Sequence, residues 1–275
     1  MSTGTLQTVP PRPFLKWAGG KSQLIPQYQP YFSTDCRNYY EPFLGGGAVF
    51  FHVQPAQAVL TDINPELINA YRCVRDKVEP VISLLEDHQL RHSKEYYYEV
   101  RSRAGGEDVD RAARLIYLNK TCFNGLYREN SKGQFNVPVG RYKNPTICNA
   151  DLLRSVSAAL QPATVEVRPF EAVLDWAKGS EDWVYFDPPY YPVSATSNFT
   201  GYSRYEFKED EQVKLRDVFA SLAGRGVRVM LSNSDCPFIR ELYRDFQIHA
   251  ILAARAINSN GKKRGKVAEV LVTSY

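Results

Sequence analysis

Two consecutive prolines, Pro188 and Pro189, stand almost directly behind the apolar run Trp183–Phe186. Proline brings no amide hydrogen to a sheet ladder and fixes its own φ, so no central strand continues through such a pair. The stretch VYFDPPY (184–190) therefore reads as a buried strand that stops at Asp187, with the chain turned outward. Comparable runs recur, each followed by a polar or glycine turn and a helical period. CRNYYEP leads through the glycine loop of FLGGGAVFF into a helix, and QAVLTD is a second strand with an acid at its tip. NPELINAYRCVRDKVEPVISLLEDH follows, with Asn64 as N-cap and Pro65 in the first turn. Later come the helix DLLRSVSAAL, the strand TVEVRP, the amphipathic helix KEDEQVKLRDVFASLAGRG closed by glycine, and the strand VRVMLSNS. Residues 247–257 and 266–275 read as two closing strands. Strands alternating with helices predict an α/β fold, a sheet with covering helices.

The alternation breaks in the middle of the chain. From about His92 the sequence turns to helices rich in Arg and Tyr, then to the loop NKTCFNGLYRENSKGQFNVPVGRYKNP. The expected organisation is a main domain of residues 1–64 and 150–275, with 65–149 inserted, and 275 residues suffice for both. No apolar run approaches the ~20 residues of a membrane span, so no membrane association is expected. The first thirteen residues lack the apolar segment of a signal peptide, which makes a cytoplasmic protein the default. The five cysteines (Cys36, Cys73, Cys122, Cys148, Cys236) form no C-x-x-C pair and read as free thiols. The four histidines show no ligand spacing, and no metal is expected.

Charge is unevenly spread. Between Asn119 and Pro145 five basic residues (Lys120, Arg128, Lys132, Arg141, Lys143) face one acid, Glu129; between Arg255 and Lys266 there are five basic residues and no acid. These patches carry +4 and +5, together more than the chain's net +4, so the remainder is acidic. Two concentrated basic patches suit a polyanion such as DNA or RNA. Solvated surface loops are the plainer reading.

Two glycine segments suggest a nucleotide. Gly19-Gly20-Lys21-Ser22 looks like the end of a phosphate-binding loop, but the first glycine of G-x-x-x-x-G-K-[ST] would fall on Leu15. The loop from Glu41 to Gly47 fails G-x-G-x-x-G, yet a glycine turn after the first strand of an open sheet still lets a ligand reach the backbone. Asp62, at the tip of the next strand, is placed to accept both hydroxyls of a ribose. A nucleoside ligand without pyrophosphate fits that pair, S-adenosyl-L-methionine above all; a structural turn with a helix-capping Asp fits it too.

DPPY carries the sharper chemistry. Asp187 and the Pro188 carbonyl project past the strand end, and Tyr190 supplies a flat face. The exocyclic amine of a nucleobase is a poor nucleophile because its lone pair is delocalised into the ring. Two acceptors on its N–H groups favour a tetrahedral nitrogen and free the lone pair to attack a methyl sulfonium. A base inside a duplex must be flipped out to get there, and stacking on Tyr190 returns about 1–3 kcal/mol.

With these motifs in their order, the chain resembles the Dam-type DNA adenine methyltransferases, from FLKWAGGK (14–21) through EPFLGGGAVF, TDIN, NGLYR, GQFNVPVGRY, DPPYYPVSATSNFTGY and LSN to SNGKKRGKVAEVL (259–271). The resemblance implies a Rossmann-like S-adenosylmethionine-dependent sheet with an inserted, mainly helical DNA-recognition domain. It also implies N6-methylation of adenine in double-stranded DNA within GATC. Trp17, Lys21, Phe43, Gly45, Asp62 and Asp187 would then hold the cofactor, and Asp187, Pro188 and Tyr190 would act in catalysis. On DNA, Arg128 would read a guanine through its forked donors, Leu126 and Pro138 would make apolar base contacts, and Phe123 would wedge into the stack. The family often has Tyr at that wedge, and Phe123 keeps the ring without the hydroxyl. Lys16, Asn124, Asn130, Asn136, Arg141 and Asn198 would make further contacts, with Lys262, Lys263 and Arg264 on phosphates. No obligate protein partner is implied. Among rival chemistries, N4-cytosine enzymes commonly begin this motif with Ser, and C5-cytosine methylation needs a cysteine, usually after proline, which none of the five here follows. An RNA adenine methyltransferase would use much of the same pocket, and the block NGLYR…FNVPVGRY tilts the reading toward DNA. A DNA-binding protein without catalysis would need the basic patches but neither DPPY nor Asp62.

Overall fold

The computed structural model describes residues 9–103, 105–193, 207–254 and 266–275. Its strands are β1 (Asn38–Glu41), β2 (Gln57–Asp62), β3 (Ala163–Val167), β4 (Asp182–Phe186), β5 (Arg228–Ser234), β6 (Gln247–Ala254) and β7 (Lys266–Thr273). Its helices are α1 (Ile25–Tyr28), α2 (Ala48–Val53), α3 (Pro65–Asp76), α4 (Val78–Arg91), α5 (Lys94–Ser102), α6 (Asp108–Thr121), α7 (Ala150–Leu160), α8 (Val173–Trp176), α9 (Glu209–Gly224) and α10 (Pro237–Leu242).

The strands form one seven-stranded sheet in the order β3-β2-β1-β4-β5-β7-β6. β1 runs parallel to β2 and β4, and β4 parallel to β5, whereas β7 is antiparallel to both β5 and β6. This mainly parallel α/β sheet is compatible with the Rossmann-like fold expected. The chain works outward from β1 through β2 to β3, then returns to lay β4 on the other side of β1. Ligands of open α/β sheets bind beyond the carboxyl ends of the strands at such a reversal. Here those ends are Glu41 and Phe186, so the DPPY turn leaves the sheet at the reversal itself. Because β7 is antiparallel, its early residues lie along the same edge, with Glu269 opposite Ser234.

The chain divides into two compact units. One comprises residues 21–44, 55–63 and 166–275. In it α9 buries Leu215, Val218, Phe219 and Leu222 against Val184, Phe186, Leu231 and Val270. Each such side chain is worth about 1.5–3 kcal/mol when fully buried. Side chains alternate along a strand, so Tyr185, Ser232 and Glu269 belong to the opposite face.

The other unit comprises residues 1–20, 45–54 and 64–165. Helix α3 starts where the Asn64 side chain accepts from the Glu66 and Leu67 amides, and it breaks from α4 at Lys77, whose φ of −139° is not helical. Helix α6 is buried along most of its length, from Ala112 to Thr121. The loop beyond it folds back as two legs: the Phe123 amide donates to the Pro138 carbonyl (2.9 Å) and the Asn136 amide to the Arg128 carbonyl (3.0 Å). The Tyr97 hydroxyl on α5 holds the return leg through the Val137 carbonyl (2.9 Å).

Candidate active site

At the reversal point, Asp187 receives two donors on one oxygen. Lys21 Nζ lies 2.7 Å from its Oδ1, and the Ser232 hydroxyl donates to the same atom at 2.9 Å. Ser232 has one proton to give, so Tyr185, whose hydroxyl lies 3.0 Å from Ser232 Oγ, is the donor in that pair. The second oxygen, Oδ2, takes part in neither contact. The Lys21 side chain is 5% exposed and that of Asp187 20%, a nearly dry ammonium beside a carboxylate that a ligand can still reach. Lys21 Nζ also lies 4.8 Å from the centre of the Tyr190 ring, within cation–π range. The Tyr190 hydroxyl donates to Glu269 Oε2 at 2.8 Å. Burial, helped by the nearby charges of Asp187 and Glu269, pushes the Tyr190 phenol well above its ordinary value and keeps it a donor. Burial also raises the Glu269 carboxyl, against the opposing pull of Lys21 and the Tyr190 hydroxyl.

The proline turn is pinned from its other side. Gln212 of α9, fully buried, donates to the Pro189 carbonyl (3.0 Å) and accepts from Asn233 Nδ2 (3.0 Å), while Asn233 Oδ1 accepts from the Tyr191 amide (3.1 Å). Pro188 itself is buried. Asp62 ends β2, half-buried, and its carbonyl accepts from the Arg168 amide (3.2 Å). Phe43, two residues beyond β1, packs against Phe170 (5.4 Å), Phe207 (5.7 Å) and Phe186 (6.3 Å). That aromatic group suits the flat face of a purine, and Asp62 offers a carboxylate to a ribose.

In the other unit, Trp17 stacks on Tyr127 (5.6 Å) and lies over Gly45, whose φ is +46°. A Cβ there would come within 2.9 Å of the Trp17 ring, so only glycine admits the indole so close to the backbone. Asn119, at the end of α6, clamps the Lys16 backbone through both its amide and its carbonyl (2.8 and 2.7 Å) and reaches the Gly125 carbonyl (3.0 Å). Lys16 Nζ stands over the Tyr142 ring at 4.1 Å. Burial, with Lys16 and Arg12 adding to it, pulls the Lys120 ammonium down to about 8. In the two-legged loop Phe123 is exposed despite its apolar ring, and Asn124 takes a left-handed φ of +56°. Arg128 Nε donates to Asn136 Oδ1 (2.7 Å), and Asn130 bonds Gln134 (3.0 Å). Leu126 is half-buried; Pro138 and Arg141 are exposed.

Lys21, Asp187 and Tyr190 are thus brought together in one unit, and Trp17 with Gly45 in the other. Lys21, expected at the cofactor, makes its close contact with Asp187. Asn198, Lys262, Lys263 and Arg264 lie outside the described residues. Among those, no group of His, Cys, Asp and Glu suited to a metal ion occurs. Sequence patterns alone do not single out Ser232, Tyr185, Gln212, Asn233 or Glu269. For Glu269 a signal exists: a lone acid inside the apolar strand VAEVLV is an unusual place for a carboxylate without a partner.

An acid, an ammonium and a phenol gathered at the reversal of a mainly parallel sheet is a setting for group transfer, and the comparisons with known proteins say which kind. The profile of the D12 class N6 adenine-specific DNA methyltransferases matches residues 17–257, and the chain belongs to that family. It is 48% identical, over 96% of its own length and 95% of the relative's, to the Type II methyltransferase M1.LlaDCHI of Lactococcus lactis subsp. cremoris. It is 40% identical to the Type II methyltransferase M.MjaIII of Methanocaldococcus jannaschii, over 96% and 99% of the two chains. It is 35% identical to the DNA adenine methylase of Escherichia coli, over 94% of each. Adenine-specific methylation of DNA is accordingly the activity of this chain.

Proposed function

We propose that this enzyme methylates N6 of adenine within GATC, taking the target base out of the duplex onto the DPPY turn. The observation that carries the reading is the Asp187 carboxylate, fixed through Oδ1 by Lys21 and Ser232 while Oδ2 is engaged by neither. Oδ2 and the Pro188 carbonyl are then the two acceptors for the target amine. They draw on its N–H bonds, favour the tetrahedral nitrogen and stabilise the positive charge that grows there as the methyl arrives. Asp187 is next to the proton the nitrogen sheds afterwards. Lys21 occupies one face of the Tyr190 ring, so the base stacks on the other.

The methyl donor is S-adenosylmethionine, which supplies an electrophilic methyl on a sulfonium when bound. Residues of the sheet unit fit it: Asp62 for the ribose and Phe43 with its aromatic neighbours for the purine, with Lys21 beside the transfer. Residues 65–149 form the target-recognition domain in this reading, with Arg128, held by Asn136, reading a guanine and the exposed Phe123 wedging into the stack. Leu126 and Pro138 contact bases. Lys16, Asn124, Asn130, Arg141 and Asn198 assist, and Lys262, Lys263 and Arg264 lie along phosphates. A DNA enzyme with these features works in the cytoplasm, and no helix among the described residues is long and apolar enough to cross a membrane.

Expression in a host lacking GATC methylation tests the reading. Its DNA should become resistant to a nuclease that cuts only unmethylated GATC and sensitive to one that cuts only the methylated site. Asp187→Ala should abolish both changes while leaving DNA binding intact. Total N6-methyladenine that rises without protection of GATC would mean another recognition sequence, and a fully active Asp187→Ala would remove Asp187 from the chemistry.

A further inference from the structure

Glu269 is a largely buried carboxylate that the chemistry above does not use. It lies on β7, opposite Ser234, three residues after the strand begins. The antiparallel course of β7 brings it back to the edge from which β4 releases Asp187. It accepts the Tyr190 hydroxyl at 2.8 Å. Its charge and that of Asp187 both reach the phenol of Tyr28, which is fully buried and packs edge-on to Tyr185 at 6.4 Å. Lys21, paired to Asp187 at 2.7 Å and seated over the Tyr190 ring, draws on Glu269 as well. The stacking ring is therefore held at two points, with the Asp187-paired ammonium over its face and Glu269 at its hydroxyl.

A tyrosine directly behind a proline pair is fixed at its backbone but not at its ring. The ring turns about χ1 and χ2, and a platform free to turn would order only when the base arrives, so part of the stacking energy would be spent on ordering it. A hydrogen bond at the far end of the side chain removes that freedom beforehand. A cation on one face selects which face remains for the base. Glu269 supplies the first restraint, by accepting the hydroxyl; Lys21 supplies the second.

We propose, on the reading of Asp187 and Tyr190 given above, that Glu269 is a positioning residue for methyl transfer, holding the Tyr190 ring in its stacking orientation through the ring's hydroxyl. It touches neither base nor cofactor. Its contribution passes through Tyr190, which makes the pair testable by a double-mutant cycle.

The test compares Glu269→Ala, Glu269→Gln, Tyr190→Phe and the double variant Tyr190→Phe/Glu269→Ala, all in the full chain. Single-turnover methylation of a GATC duplex is measured together with KM for the cofactor. Tyr190→Phe keeps the ring and removes only the hydroxyl; it should slow transfer about tenfold, and Glu269→Ala at least as much, with KM for the cofactor within about twofold. The double variant should be no slower than Glu269→Ala alone. Glu269→Gln keeps an acceptor and should recover most of the rate. Multiplicative losses in the double variant, a Tyr190→Phe enzyme at the wild-type rate, or a Gln variant no better than Ala would each overturn the proposal. Tyr190→Phe removes no buried charge, so it decides the matter even if Glu269→Ala fails to fold. An inactive Asp187→Ala beside fully active Tyr190→Phe and Glu269 variants would leave the proposed function standing and remove only this inference.

Discussion

His88 lies on α4 with its Nδ1 2.8 Å from the Tyr96 hydroxyl and its ring stacked 4.7 Å from that of Tyr117. Burial drives its pKa down to about 4, with Arg103 and Arg91 helping and Asp87 opposing. The folded protein therefore keeps this imidazole neutral where the unfolded chain, titrating near ~6.5, already protonates. Between those values the unfolded state binds more protons, so stability falls as pH drops from about 6.5 toward 4, by up to about 3 kcal/mol from this residue. Denaturant midpoints measured across that window should show the fall, and His88→Leu should flatten it. The same scale shows what the sequence could and could not disclose. Asp187 and Tyr190 stand in a local motif whose prolines announce their setting. Glu269 and Ser232 owe their place to strand register and to an antiparallel strand arriving from far along the chain, neither of which a linear pattern encodes.

Helix α3 illustrates an element whose start is written in the sequence. Asn64 and Pro65 are readable as cap and first turn, and the Asn64 side chain accepts from Glu66 and Leu67 at 3.0 and 3.2 Å. Asn64→Ala should lower stability by about 1 kcal/mol, read as a shift in the unfolding midpoint with the denaturant slope unchanged. Strand β2 matches QAVLTD, and β4 stops just ahead of its prolines, because local periodicity and backbone restriction set those limits. The four-residue α1 and α8 leave no such mark, being too short to show a period. Strand order leaves none either. That β7 enters between β5 and β6 is a decision among non-local pairings.

At the scale of the whole molecule, the two basic patches within a chain of only +4 predict how its DNA binding responds to salt. Each phosphate contact contributes about −0.9 to the slope of log K against log salt. Exposed Lys143 belongs to the first patch, and Lys143→Ala should weaken binding alike on cognate and altered sites and lessen that slope by about 1. Arg128→Ala should leave the slope nearly unchanged and relax discrimination at a single guanine by about 1–3 kcal/mol. Competitive binding at several salt concentrations separates the two. The seat of β7 has a further consequence, in the order of events during synthesis. β5 and β6 leave the ribosome first and cannot be joined until β7 follows them to fill the gap. Until then each presents an open edge, the kind of surface on which unfinished chains aggregate. Glu269 arrives with that same strand. A nascent chain already carrying its whole DPPY turn therefore still lacks the strand that brings a carboxylate to the hydroxyl of its tyrosine.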